Sequence, residues 1–371
     1  MEIKSYNPPE KLDEFVKFPF QLYKNTPYEK FWVPPLISET KKLFSNKNPF
    51  WKHAKIKIFL AQDNDKIVGR CAAIIDKNHI KVHNEKCGFF GFFDCINDVA
   101  VAKSLLDEAG KFLKSEGMEI IKGPANPSAN DEYGLLIDGF DSLPVIMMTY
   151  NPPYYIDLIE KSGFKKAKDL YAFLRSTAGA APERIAKIVE RVKKREGVRF
   201  RNFDLKNFKR DVGYFKEIYN SAWEKNWGFV PMTDEEIDYM AKGLKPLLDP
   251  RICHFLEIKG EPVAATLSVP DYNFVLKKLG GRMNLPGIIK FFYWKRKIKL
   301  TRLMALGVKK EFRNKGLEAV LYHEIFISTK NAGYDAGELS WTLEDNDLIN
   351  KGIEAMGGVL YKKYRIYEST L

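Results

Sequence analysis

The chain has 371 residues, about twice the length of an ordinary single domain. Its hydrophobic residues (45%) and aromatics (13%) are enough for two cores, which excludes a disordered polymer. Four scattered cysteines without a C-x-x-C pair, and five dispersed histidines, give no basis for a disulfide framework or a metal site. The 60 basic residues exceed the 48 acidic ones by 12, which favours an anionic partner.

In chain order, the first ten residues are polar and lack the apolar centre of a secretion signal, so a cytoplasmic protein is expected. No apolar run reaches the roughly 20 residues that would span a bilayer. Apolar runs on either side of Asn64 and Asp65 predict a hairpin over 59–76. After a stretch at 91–98 comes an amphipathic helix with Val101, Leu105, Ala109, Phe112 and Leu113 on one stripe, stopped by Gly117. A loop at 124–144, a short helix ending at Gly163 and a strand from Lys168 follow. The small residues at 176–182 mark a boundary before the charged helix 183–194, which gives domains of 1–177 and 178–371.

The second half repeats the first. Phe59, Val68 and Asp76 recur as Phe255, Val263 and Asp271 in another hairpin. The helix 105–117 returns at 321–333, and Ile159, Glu160 and Gly163 return as Ile353, Glu354 and Gly357. Two insertions offset the halves: the loop 124–144 in the first and the stretch 272–300 in the second. The latter holds eight basic residues, no acid, and a run of aromatics from Phe291 to Trp294. It reads as an interfacial helix that would meet anionic lipid, a long acyl chain or an RNA backbone, if it is not simply packed on its domain.

The strand 303–308 runs into Lys309, Arg313, Asn314, Lys315, Gly316 and Leu317, where a long helix starts. A basic turn with glycine at a helix amino end aims backbone N–H groups and the positive end of the helix dipole at one spot, a fit for phosphate. The matching stretch of the first half, 91–98, has no arginine, no turn glycine and two acids, Asp94 and Asp98. It would repel a phosphate.

The spacing of Val308, Arg313, Gly316 and Leu321, followed by Asn346, Ile349, Ile353 and Gly357, resembles the GNAT family of N-acetyltransferases. The internal repeat resembles a tandem arrangement of that family and the related Fem-type peptidyl transferases. The resemblance implies two tandem mixed α/β domains of α+β type, each a mostly antiparallel sheet flanked by helices. It also implies a coenzyme A-dependent N-acyltransferase that moves acyl rather than aminoacyl groups. Acetyl-CoA or another acyl-CoA would be held by Leu306, Gly307, Val308, Arg313, Asn314, Lys315, Gly316, Leu317 and Asn346, with no metal. The acceptor would be a small-molecule or peptide amine. Ile353 stands where many members carry the tyrosine that protonates the leaving thiolate, so Tyr322, Tyr361 or Tyr364, or solvent, would supply the proton instead, with Tyr364 the choice. Glu338, which shares one face of an alternating strand with Ser340 and Thr342, is the expected base. Two polar loops, 123–133 and 222–231, would line the acceptor site. The basic 272–300 stretch would meet anionic lipid, placing the protein peripherally on the inner membrane face, or tRNA; DNA is not expected. A Fem-like transfer from charged tRNA, and an inactive acyl-CoA- or lipid-binding module, are the alternatives.

Overall fold

The computed structural model describes residues 1–224 and 226–371, which form two compact units. The amino-terminal unit comprises Met1–Leu170, Val275–Tyr293 and Lys362–Leu371; the carboxy-terminal unit comprises Tyr171–Phe274 and Trp294–Tyr361.

In the amino-terminal unit the strands run in the order Glu2–Tyr6, Ala54–Asp63, Lys66–Asp76, Cys87–Cys95, Ile120–Gly123 and then the end of Val359–Thr370. All pair antiparallel except Cys87–Cys95 with Ile120–Gly123, which are parallel and are joined through the helix Val99–Ser115. That crossover follows from the sequence pattern, because an apolar stripe on a helix has to be buried against the sheet it connects. Leu105, Leu106, Ala109 and Leu113 are fully buried against Phe59, Phe90 and Ile121.

The carboxy-terminal unit repeats this plan. Its strands run in the order 171–176 of Lys165–Ser176, Ala336–Leu343, Leu300–Val308, Glu261–Pro270, His254–Ile258 and Val198–Asn202. Again one neighbouring pair is parallel, Leu300–Val308 with Ala336–Leu343, and the helix Leu317–Asn331 connects them. Leu317, Val320 and Leu321 pack with Val189 and Val192 of the helix Glu183–Glu196 and with Leu256 and Val263 of the hairpin. A second cluster joins Phe173, Leu303, Tyr322, Phe326, Ile353 and Met356.

The expected cut after residue 177 lies near the first passage between units, at Leu170 to Tyr171, but two later segments return to the amino-terminal unit. Each sheet ends on a strand from the other repeat: residues 367–370 pair with Ile120–Gly123, and 171–176 lie beside Ala336–Leu343. Alternation along a strand shows which side chains point inward. It does not show which sheet accepts the hydrogen bonds. The cysteines Cys71, Cys87, Cys95 and Cys253 are buried free thiols. No helix among the described residues is long and apolar enough to cross a membrane.

Candidate active site

In the carboxy-terminal unit the parallel pairing runs only from Leu300 beside Ala336 to Leu303 beside Leu339. Beyond that point the two strands part. On its other edge Leu300–Val308 carries an irregularity opposite Leu267 and Ser268, where the register skips Met304. A bulge bends its strand and leaves one residue unpaired. The result is an open cleft of about 550 Å³ walled by Met304, Ala305 and Leu306 on one strand and by Ser340 to Leu343 on the other. Leu303, Leu339, Trp223, Asn226, Tyr322, Asn346, Ile349 and Ile353 complete it.

The strand on the Leu306 side continues into the basic turn. Lys310–Phe312 forms one 3-10 turn, Asn314 has φ 62°, and Gly316 has φ 80° as the residue preceding the helix Leu317–Asn331. A side chain at Gly316 would be strained at that φ and would sit 3.1 Å from Val192 Cγ2. No side chain caps the helix. Among the described residues no hydrogen-bond acceptor meets the backbone N–H groups of Asn314 through Glu318. Successive unpaired amides around left-handed residues form a concave anion site, and the helix dipole adds to it. The turn is held from behind. Arg313 Nη2 donates to the carbonyls of Ser221 (3.0 Å) and Ala222 (2.8 Å), Lys310 N donates to Ser221 Oγ, and Arg195 Nη2 donates to Lys315 O. Lys315 Nζ pairs with Glu196 at 3.1 Å, so part of its charge is already balanced. Asn314 is exposed, Arg313, Lys315 and Gly316 are half-buried, and Leu317 is fully buried.

Of the other expected cofactor residues, Leu306 and Asn346 line the cleft. Gly307 is instead pressed against Ala222 and Trp223, and Val308 is buried in the core behind the turn. Asn346 caps the helix Asp347–Ala355, its Oδ1 accepting from Ile349 N at 3.4 Å.

Behind the cleft lies a second, smaller cavity. It shares Leu303, Leu339, Tyr322 and Ile353 with the first and adds Ser268, Thr329 and Glu338 among its walls. Glu338 is fully buried and accepts hydrogen bonds from Ser340 Oγ and Tyr361 Oη. Ser340 in turn accepts from Arg302 Nε at 3.0 Å and lines the open cleft. A buried carboxylate is thus connected to the cleft through one hydroxyl. Thr342, expected on the same face, donates to Asn350 Oδ1 instead (2.6 Å).

Tyr364 is not brought to the cleft. It is fully buried in the amino-terminal unit beside Gly134, because the strand Val359–Thr370 leaves the carboxy-terminal unit after Tyr361. Tyr322 lines both cavities instead. Burial, and then the Glu318 charge, raise its phenol above the ordinary range, so it stays protonated. Its place on the motif helix was visible in the sequence, but its direction was not. The loop 222–231 supplies Trp223 and Asn226 to the cleft, while Lys225 of that loop lies outside the described residues.

The amino-terminal unit has closed the equivalent places. The loop 123–133, expected to line an acceptor site, plugs the gap beyond the parallel pairing. Asn126 Oδ1 accepts from Phe92 N at 2.6 Å, and a Cβ at Gly91 would collide with the Ala125 carbonyl. At the helix start Asp98 Oδ1 accepts from Ala100 N (2.8 Å) and Val101 N (3.2 Å), so the site's own carboxylate fills the dipole end. Tyr155 Oη and Tyr154 Oη take the N–H and C=O of Cys95. Elsewhere in this unit His79, Glu85 and Cys87 converge in the manner of metal ligands. Glu85, however, is held by Lys122 at 2.7 and 2.8 Å, and burial pushes the Cys87 thiol up to about 12. A lysine already occupies the place a cation would take.

Comparison with known proteins gives relatives of nearly full length. The chain is 34% identical over 375 residues to the bacterial ceramide synthase of Caulobacter vibrioides, covering 98% of this chain and 96% of that protein. It is 33% identical over 368 residues to protein YghO of Escherichia coli, covering 97% and 93%. Among solved structures, the tandem GNAT protein of the clavulanic acid biosynthesis pathway superposes with a TM-score of 0.58 at 10% identity, covering 100% of this chain and 98% of that one. No protein-family model matches.

Proposed function

We propose that the chain, which belongs to the family of those two relatives and has the fold of tandem GNAT proteins, is a coenzyme A-dependent N-acyltransferase with its active centre in the carboxy-terminal unit. The acceptor class comes from the Caulobacter relative's name: a ceramide is an N-acylated long-chain amino alcohol, and making one joins an acyl group to an amine. The observation that carries the reading is the uncapped amide fan from Asn314 to Glu318, placed where the strand leaving the cleft ends.

In this reading the diphosphate of acyl-CoA accepts from those amides, with Arg313 and Lys315 adding charge. The pantetheine arm lies between the strands that part beyond Leu303 and Leu339. Backbone N–H groups near the bulge at Met304 polarise the thioester carbonyl without a side chain. The amine attacks, the C–N bond forms and the C–S bond breaks. Its proton passes to Ser340 Oγ while the Ser340 proton moves to Glu338, and Tyr322 protonates the departing thiolate. Ile353, apolar where many related folds carry a tyrosine, lets both cavities share a wall suited to an alkyl chain.

The test uses the purified full chain with acetyl-CoA, palmitoyl-CoA and sphinganine. Expected are a rise in melting temperature with acyl-CoA, amine-dependent release of free thiol, and an amide product by mass spectrometry. Stabilisation by acyl-CoA without thiol release would leave a binding module. Stabilisation by charged tRNA alone would replace acyl transfer with aminoacyl transfer.

A further inference from the structure

The 272–300 insertion leaves an apolar helix face uncovered. The helix Leu285–Lys295 begins after Asn284, whose Oδ1 accepts from Gly287 N at 3.0 Å. Leu285, Ile288, Ile289 and Phe292 follow the spacing that places residues on one helical stripe. All four are exposed, at 80%, 42%, 73% and 61%, while Gly287 on the other side is buried. Soluble proteins rarely leave a contiguous aliphatic and aromatic stripe in water without an occupant.

The root of this helix is fixed. Lys277 Nζ donates to the carbonyls of Trp32 (2.6 Å) and Glu29, and Ile37 N donates to Gly281 O at 3.0 Å. Gly281, at φ 82°, has Phe20 against it where a Cβ would stand. The insertion is therefore anchored at its base and presents its far side outward. Around the stripe the charge has one sign: from 272 to 300 there are eight basic residues and no acid. Arg282 stands just before the helix and Arg296 just after it, both exposed.

We propose that the helix Leu285–Lys295 seats the protein on an anionic lipid bilayer, with Leu285, Ile288, Ile289 and Phe292 entering the acyl boundary and Arg282 and Arg296 meeting headgroup phosphates. A stripe of three aliphatic side chains and Phe292, flanked by cations, fits a bilayer interface. A nucleic acid would instead favour aromatic faces for stacking on bases. None of the four stripe residues lines the carboxy-terminal cleft, and lipid binding does not depend on acyl transfer.

The experiment is flotation of the full chain with vesicles of phosphatidylcholine, with or without phosphatidylglycerol. The protein floats with the mixed vesicles and not with phosphatidylcholine alone, and the bound fraction falls about tenfold between low and high salt. Ile289→Asp with Phe292→Asp lowers the partition coefficient about a hundredfold. Arg282→Glu with Arg296→Glu lowers it at least twentyfold. Lys187→Glu, an exposed charge reversal on another helix, leaves it within about twofold. These side chains are exposed, so the melting temperatures stay unchanged, and Gly316→Trp protein floats like the parent. Equal flotation with neutral vesicles, or full binding by the Ile289→Asp, Phe292→Asp protein, overturns the proposal. So does a chain that stays unfloated and elutes as a dimer disrupted by the same pair, or that binds RNA in preference to lipid.

Discussion

The two helices that follow the parallel strands start from the same fold position and end in opposite chemical states. At the helix from Val99 the amides of Ala100 and Val101 are taken by Asp98, the preceding strand end is tied to two tyrosines, and the gap between strands is filled by the 123–133 loop. At Leu317 the amides are uncapped, the turn is braced only from behind, and the strands part around an open cleft. One fold thus gives either a self-satisfied helix start or an uncapped one, and the difference rests on a carboxylate, a glycine and a plug. A capping carboxylate supplies to the helix dipole what a bound phosphate would supply.

The largest expected effect sharpens the chemistry of the open unit. Glu338→Gln keeps the shape and removes the proton acceptor, so kcat falls by about a thousandfold. Acyl-CoA still raises the melting temperature, and a turnover number within a few fold of the parent would remove Glu338 from the proton path. Next, Gly316→Trp places a side chain where φ and Val192 exclude one. It abolishes the acyl-CoA thermal shift and lowers kcat/KM about a hundredfold.

The same kind of change in the closed unit acts on stability instead. Gly91→Ala, driven into the Ala125 carbonyl, costs about 3 kcal/mol in urea unfolding and leaves acyl-CoA affinity unchanged in the protein that stays folded. The carboxy-terminal unit carries its own pH signature. Burial lowers His254 to about 4, its ring lying between Asn202 and Ser328. The unfolded imidazole titrates near 6.5, so between these values the unfolded chain binds more protons. Stability is therefore complete above about pH 6.5 and falls as the pH drops toward 4, by about 3 kcal/mol in all. A His254→Asn variant whose unfolding free energy fell as steeply over that interval would refute this source. The smallest effect is Asp98→Ala. It removes a cap, costs about 1 kcal/mol, and creates no acyl-CoA site, because the plug at Asn126 remains.

Much of this was legible in residue order. The hairpins, the two amphipathic helices and their glycine stops come from periodicity, which reports local geometry. The asymmetry between Asp98 and Gly316 was visible as well, since capping is a contact between residues two or three apart. The choice among tyrosines was not visible: Tyr322, Tyr361 and Tyr364 have similar surroundings in sequence. Only the departure of the last strand from its unit buries Tyr364 and leaves Tyr322 at the cleft.

Sequence alone determined the repeated plan, the position of the basic turn and the single-signed charge of the insertion, because each is set by neighbours along the chain. Tertiary structure decided the rest. Glu338 meets Tyr361 only across the packed sheet, the 123–133 loop becomes a plug only against Gly91, and the 285–292 stripe is left uncovered only once its root is pinned. These are contacts between distant residues, and burial, not local preference, selects them.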